Sequence, residues 1–220
     1  MTSAVPTLVV ITDRHAAAKV GRPVVDTVAA ALDGGAPAVL LRDKDLPADE
    51  RRTLGEQLRR RCTDAGARLL VSSDVALARD LAADGIHLAA HDPPYTDATL
   101  LIGRSCHNRA EVAAARDEGV AYATVSPVAA STSKPGHGPP LGPAGLQRLV
   151  TAAEDLPLLA LGGVTPDNVA QWWQAHGIAV MGGIMRATDP ATTVRALLTA
   201  WAERSAPARP TPASEPEDPS

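Results

Sequence analysis

Eight short apolar runs recur along the chain: TLVVIT (7–12), AVLLR (38–42), RLLVS (68–72), GIHLA (85–89), LLIGRS (100–105), YATVS (122–126), LLALG (158–162) and IAVMG (178–182). Near-continuous hydrophobicity in so short a run marks a strand buried on both faces, as in a parallel sheet. Each run is followed by a turn, and usually by a segment of helical period. TPDNVAQWWQAH offers Thr165 as N-cap and Pro166 at the first helical position, with Val169, Trp172, Trp173 and His176 at helical spacing. TDPATTVRALLTAW repeats the formula, with Asp189 or Thr188 as cap and a stripe of Val194, Leu197, Leu198 and Trp201. Asn108 and Glu111 form a capping-box-like pair, and PVVDTVAAALDGG and PADERRTLGEQLRRRCTDAG end in glycine, as C-capped helices do. The fourth unit, HDPPYTDATL, carries little or no helix signal. Eight strand–helix units in about 200 residues predict an α/β fold, a single-domain (β/α)8 TIM barrel. A doubly wound open sheet is the alternative. It is disfavoured because no Gly-x-Gly-x-x-Gly turn follows the first run.

A barrel places its chemistry at the C-terminal ends of the strands. The seventh run ends in Gly162 and Gly163, and the eighth leads into Gly182 and Gly183. Without Cβ atoms these turns let backbone N–H groups approach an anion, and a helix after Thr165 adds its N-terminal partial charge. The two pairs therefore read as halves of a phosphate cradle, against the alternative of two tight turns. After the second run, Arg42 and Lys44 are two apart and project the same way if the strand continues, which suits a phosphate or diphosphate. The competing reading is a solvated loop with internal ion pairs, drawn from Asp43 and Asp45. After the third run Ser72 and Ser73 either contact a ligand or, the stronger reading, cap the next helix. His87 alternates with Ile86 and Leu88 and faces the opposite layer, as a structural or a catalytic group. Asp92 is a candidate metal ligand, although one carboxylate makes a poor Mg²⁺ site by itself. Cys106 and His107 are adjacent and point apart, so they make a poor nucleophile pair. The long loop 126–143 holds Ser131, Thr132 and Ser133 next to Lys134, a candidate oxyanion-binding lid or a plain connection.

Composition narrows the function classes. Of 220 residues 45% are hydrophobic but only 2% aromatic, with no Phe, so Ala, Val and Leu must fill the core. A net charge of −4 gives no electrostatic case for nucleic acid or an anionic membrane. Two cysteines without paired spacing argue against a disulfide framework or zinc site and point to a reducing, cytoplasmic setting. The N-terminal apolar run is too short for a signal peptide or a membrane span. Residues 205–220, rich in Pro, Ser and Glu, read as a disordered tail behind a domain of residues 1–204.

Taken in order, Arg-x-Lys after the second run, His-x-x-x-x-Asp after the fourth, Ser105 after the fifth, a Ser/Thr-rich loop with lysine after the sixth and the two glycine turns resemble the thiamine phosphate synthase superfamily, which also contains the thiazole tautomerases. The resemblance covers nearly all of 7–202. It implies small phosphate and diphosphate substrates: a pyrimidine methyl diphosphate joined to a thiazole phosphate with release of diphosphate. It implies that Arg42, Lys44 and Lys134 hold the diphosphate, with Ser105 beside the pyrimidine or diphosphate. It implies that Ser131, Ser133, Gly163 and the Gly182 turn hold the thiazole phosphate, and that Asp92 ligates Mg²⁺. Several positions depart from the family pattern. Leu40 stands for a glutamine, Ser72 and Ser73 for Asn-Asp, and Ala90 and His91 for glutamine and glutamate. One usual Mg²⁺ carboxylate position is therefore Ser73. The thiazole-phosphate half is better kept than the pyrimidine half, which leaves a metal-independent thiazole phosphate tautomerase open. That branch's catalytic histidine falls at Pro127, with His137 further along the loop. A non-catalytic phosphate-ligand-binding paralogue is the third reading. Sequence leaves a homo-oligomer open.

Overall fold

The computed structural model describes residues 5–130 and 140–204. All eight runs are strands: β1 (Leu8–Ile11), β2 (Ala38–Leu41), β3 (Arg68–Ser72), β4 (Gly85–Leu88), β5 (Leu101–Cys106), β6 (Tyr122–Val125), β7 (Leu158–Leu161) and β8 (Gly177–Val180). They pair in parallel, each with the next, and β8 closes on β1 through Leu8–Ile178, Val9–Ala179 and Val10–Val180. The ring is therefore a closed (β/α)8 barrel.

Period-two alternation divides each strand between two cores. One set faces the helices: Leu8, Val10, Val39, Leu41, Leu69, Val71, Ile86, Leu88, Ala123, Val125, Ile178 and Val180 pack with helix residues in one large cluster. The other set fills the lumen: Val9, Ile11, Ala38, Leu40, Leu70, Leu101, Tyr122, Leu159 and Ala179. His87, flanked by outward Ile86 and Leu88, belongs to the lumen and is 5% exposed. The apolar plug seals the lower lumen, so polar groups can face a ligand only at its upper end.

The outer layer holds α1 (Arg14–Ala18), α2 (Val24–Asp33), α3 (Ala48–Asp64), α4 (Val75–Asp80), α5 (Arg109–Asp117), α6 (Gly142–Ala153), α7 (Gly182–Met185) and α8 (Pro190–Ala202). Asp189 caps α8 by accepting from Thr192 N, and Asn108 caps α5 by accepting from Glu111 N. No helix lies between β4 and β5. Two expectations fail. The segment after β7 holds only a single 3₁₀ turn, Val169–Trp172, because the Asn168 side chain accepts from Thr165 N and ties the chain into a loop. The helix dipole assigned there to anion binding is therefore absent. The N-cap of α4 is Asp74, which accepts from Leu77 N, so Ser72 and Ser73 do not cap it. Loop residues Ser131, Thr132, Ser133, Lys134 and His137, and the 205–220 tail, lie outside the described residues. Among the described residues no helix is long and apolar enough to cross a membrane.

Candidate active site

At the upper rim the run after β2 resolves into two roles. Its carboxylates turn to the β1–α1 turn. Asp43 accepts from Arg14 N at 2.8 Å, and Asp45 takes Arg14 Nη1 at 2.6 Å and His15 Nε2 at 2.8 Å. Those hydrogen bonds, Arg14 first, hold the Asp45 carboxyl well below the usual range. With the acids drawn aside, Arg42 and Lys44 line a cavity of about 660 Å³ at the C-terminal mouth of the barrel. The backbone of Arg42 is fixed by Thr12 Oγ1, which accepts its N–H at 2.9 Å. Asp43 and Asp45 thus bind the β1–α1 turn, across from their own loop.

The glycine turns line the same cavity. Gly162 and Gly163 have φ of 95° and 70°, in the left-handed region that suits glycine. Asn168 Nδ2 donates to Gly163 O at 2.8 Å, and Ala129 N donates to Gly162 O at 3.0 Å. In a trans peptide the next N–H opposes the carbonyl, so the Val164 and Gly163 N–H groups are turned away from these donors. Across the turn, α7 begins at Gly182, and its first intrahelical donors are Ile184 and Met185, both to Met181 O. The Gly182 and Gly183 amides precede that ladder, as orphan donors at a helix start do.

Lys44 Nζ donates to Ser73 Oγ at 2.6 Å, and Ser73 Oγ in turn donates to Asp92 Oδ2. Ser73 reaches both because its backbone is left-handed, with φ 59°. Asp92 Oδ2 also accepts from Ala89 N at 2.7 Å. Burial pushes the Asp92 carboxyl up, but the hydrogen bonds from Ser73 and Ala89 and the charge of Lys44 prevail and hold it below the ordinary value. The β4–β5 connection that carries Asp92 is pinned from beneath. The buried Arg104 guanidinium donates to Ala89 O at 3.0 Å and Asp92 O at 2.9 Å, and its Nε lies 2.7 Å from Glu118.

The floor of the cavity is a polar patch on three strands. His87 Nε2 lies 3.0 Å from Ser105 Oγ, and His87 Nδ1 lies 3.0 Å from the Tyr122 hydroxyl. Burial, aided by Lys44 and Arg104, pushes His87 down to about 4, so the ring is neutral at physiological pH. Burial pushes Tyr122 beyond its usual range, and it stays protonated. Ser72, Ser105 and His87 line the cavity together with apolar Ile11, Leu40, Leu161 and Met181. A charged ligand group thus has cations and amides at the rim, and an aromatic ring has an apolar wall.

The family model for thiamine monophosphate synthase matches residues 8–184, from the first strand through the Gly182 turn. The chain belongs to the thiamine monophosphate synthase family. It is 40% identical over 204 residues to the thiamine-phosphate synthase of Roseiflexus castenholzii, spanning 89% of this chain and 88% of that one. It is 36% identical to the enzyme of that name from Moorella thermoacetica, over 80% of this chain and 88% of the relative. The thiamine phosphate pyrophosphorylase of Pyrococcus furiosus superposes with a TM-score of 0.78 at 29% identity, covering 90% and 96% of the two chains. The 3-hexulose-6-phosphate synthase of Salmonella typhimurium shares the fold at a TM-score of 0.69 and 13% identity.

Within this family fold, Arg42, Lys44, Ser72, Ser105, Gly162, Gly163, Gly182 and Gly183 meet in one cavity. Asp92 stands behind that wall and connects to it through Ser73 and Lys44. Cys106 is excluded as a nucleophile. It is buried, its thiol is pushed up to about 12 by burial, and it donates to Glu111 O while His107 turns to Glu111 Oε2. Sequence reading passed over Tyr122, Arg104 and Arg186, the last of which also lines the cavity. Arg104 had a visible signal: a charge at an outward position of an otherwise apolar strand must find buried partners.

Proposed function

We propose that the cavity joins a pyrimidine methyl diphosphate to a thiazole phosphate, making thiamine phosphate and releasing diphosphate. One observation carries the reading: a cationic rim, Arg42 and Lys44, and a double glycine rim, Gly162–Gly163 and Gly182–Gly183, open onto the same cavity. They give two anion subsites of different chemistry. Side-chain cations suit the leaving diphosphate, where charge grows as the carbon–oxygen bond breaks. Neutral amides suit a phosphate monoester that is only held. The thiazole nitrogen then donates its lone pair to the pyrimidine methylene carbon, and diphosphate departs with the bonding electrons. The carbon–nitrogen step requires no proton transfer. What it requires is alignment, supplied by anchoring both substrates through their phosphates.

The donor set also bears on Mg²⁺. Among the described residues no cluster of three His, Cys, Asp or Glu forms a metal cage. Asp92 gives one carboxylate, with Ser73 beside it. This set fits a Mg²⁺ that arrives with diphosphate oxygens and water, the usual habit of that ion, and not one caged by protein alone. Asp92 and Ser73 would hold it, and it would add positive charge at the leaving group.

The test is direct. Purified protein is incubated with both substrates and Mg²⁺, with and without chelator, and thiamine phosphate is measured by chromatography. Product that disappears with chelator supports the reading. No product, but conversion of a thiazole phosphate carboxylate to its tautomer, replaces it with isomerisation. Binding of phosphate ligands without any turnover replaces it with a carrier role.

A further inference from the structure

The floor of the cavity holds a hydrogen-bonded row whose direction can be derived. His87, Gly103 and Tyr122 are register partners across β4, β5 and β6. Gly103 lies between the two side chains, and a Cβ there would sit 2.2 Å from the Tyr122 ring carbon Cζ. The absent side chain lets the Tyr122 ring cross β5 and reach Nδ1 of His87 at 3.0 Å. The two rings stack with centroids 5.5 Å apart. Two residues further along β5, Ser105 Oγ meets Nε2 of the same imidazole at 3.0 Å, and Thr124 Oγ1 lies at 3.5 Å.

Counting protons fixes the tautomer, which heavy-atom positions alone do not. Tyr122 is 0% exposed, and His87 Nδ1 is the hydrogen-bond partner of its hydroxyl among the described residues. If Nδ1 carried the proton, the phenol hydrogen would be buried without an acceptor. If the imidazole were doubly protonated, the same orphan would remain. Only an Nε2–H imidazole satisfies all three groups: Tyr122 donates to Nδ1, and Nε2–H donates to Ser105 Oγ. The Ser105 hydrogen is then the one left over, and Ser105 lines the cavity.

We propose that Tyr122 and His87 are positioning residues that lock the imidazole as the Nε2–H tautomer and so turn the Ser105 hydroxyl into a hydrogen-bond donor aimed at an acceptor atom of the substrate. Ser105 thereby presents its proton to a phosphate oxygen or an aromatic ring nitrogen. It does not act as a base or a nucleophile, because its partner imidazole already donates to it. The proposal rests on the synthase reading for the identity of the acceptor, but not for the tautomer.

Two measurements test it on the full chain. Nitrogen-15 long-range correlation spectra, with the His87 signals assigned through His87→Gln, report which ring nitrogen carries the proton. A single Nε2–H form in the wild type, giving way to a mixture in Tyr122→Phe, supports the proposal, whereas an Nδ1–H form in the wild type overturns it. The second measurement is a double-mutant cycle. Tyr122→Phe and Ser105→Ala each lower kcat/KM about tenfold, the size of one hydrogen bond to the transition state, and the double variant falls no further than Ser105→Ala. Effects that multiply overturn the proposal, because Tyr122 would then act independently of Ser105. Native-like thermal melts qualify each variant for the cycle. If the wild type forms no thiamine phosphate, the synthase reading fails on its own, and the cycle is run on binding of inorganic diphosphate.

Discussion

Gly163→Ala separates what a backbone conformation costs from what it does for an anion. Gly163 has φ 70°, and an added Cβ would lie 2.5 Å from Ala130 O and 2.8 Å from Ala129 Cβ. A left-handed alanine costs about 1–2 kcal/mol, and forcing a methyl into a packed site costs about 1–3 kcal/mol more. The Ala129–Ala130 backbone must move, and it carries the donor that holds Gly162 O. Gly21→Ala is the control. Its φ is 71°, but its Cβ would meet nothing within 4 Å. Urea unfolding therefore shows Gly21→Ala down by about 1–2 kcal/mol and Gly163→Ala by about 3 kcal/mol, which for a chain this size lowers Tm by about 6–12 °C. Steady-state kinetics then read the anion site. Displacing one or two amides from a phosphate raises the KM for thiazole phosphate about 10–100-fold. It leaves kcat nearly unchanged, since the phosphate is held equally before and during reaction. The KM for pyrimidine diphosphate and all kinetics of Gly21→Ala stay near wild type. Wild-type affinity for thiazole phosphate in Gly163→Ala, or a loss confined to the diphosphate substrate, would refute the assignment of this turn.

Three further outcomes follow from the same geometry. His87 is held at about 4 when folded against an ordinary 6.5, so the unfolded chain binds the extra proton between those values. Stability is full above pH 6.5 and falls by about 3 kcal/mol as pH drops to 4, and in denaturant titrations His87→Gln flattens that difference. Arg104→Met leaves Glu118 without its ion-pair partner and the carbonyls of Ala89 and Asp92 without their donor; it lowers stability by about 3 kcal/mol in urea and weakens inorganic diphosphate binding measured by calorimetry. Cys62 and Cys106 are both buried with thiols pushed up to about 12, so iodoacetamide at pH 8 labels neither in the native protein and both in denaturant.

The barrel was legible because it rests on short-range signals. Runs such as LLALG and IAVMG announce strands buried on both faces, and Asp189-Pro190 and Asn108-x-x-Glu111 announce helix starts by local hydrogen bonds. The glycine pairs were legible for the same reason, because side-chain-free residues at a strand end have few uses. The helix after Thr165 was misread because a second local pattern, centred on Asn168, competes with its cap formula. Asn168 has three partners, Thr165 N, Gly163 O and Trp172 Nε1, and together they favour a loop over helix.

What stayed hidden is what only the side-by-side placement of neighbouring strand–helix units brings together. The run LLRDKD has equal numbers of acids and bases, and no spacing rule says which will pair. The answer lies about thirty residues upstream, where Arg14 and His15 take Asp45 and the Arg14 amide takes Asp43. Ser73 is similar. As a lone hydroxyl beside a helix start it reads as a cap, yet its left-handed backbone places it between a lysine from the loop after β2 and an aspartate from the loop after β4. Tyr122 reads as lumen filler until its register partner proves to be glycine and the next strand offers an imidazole. In each case the residue's role is set by a neighbour from an adjoining strand–helix unit. A barrel fixes such neighbours by register, so the chemistry becomes readable only once the eight strands are placed in order around the ring.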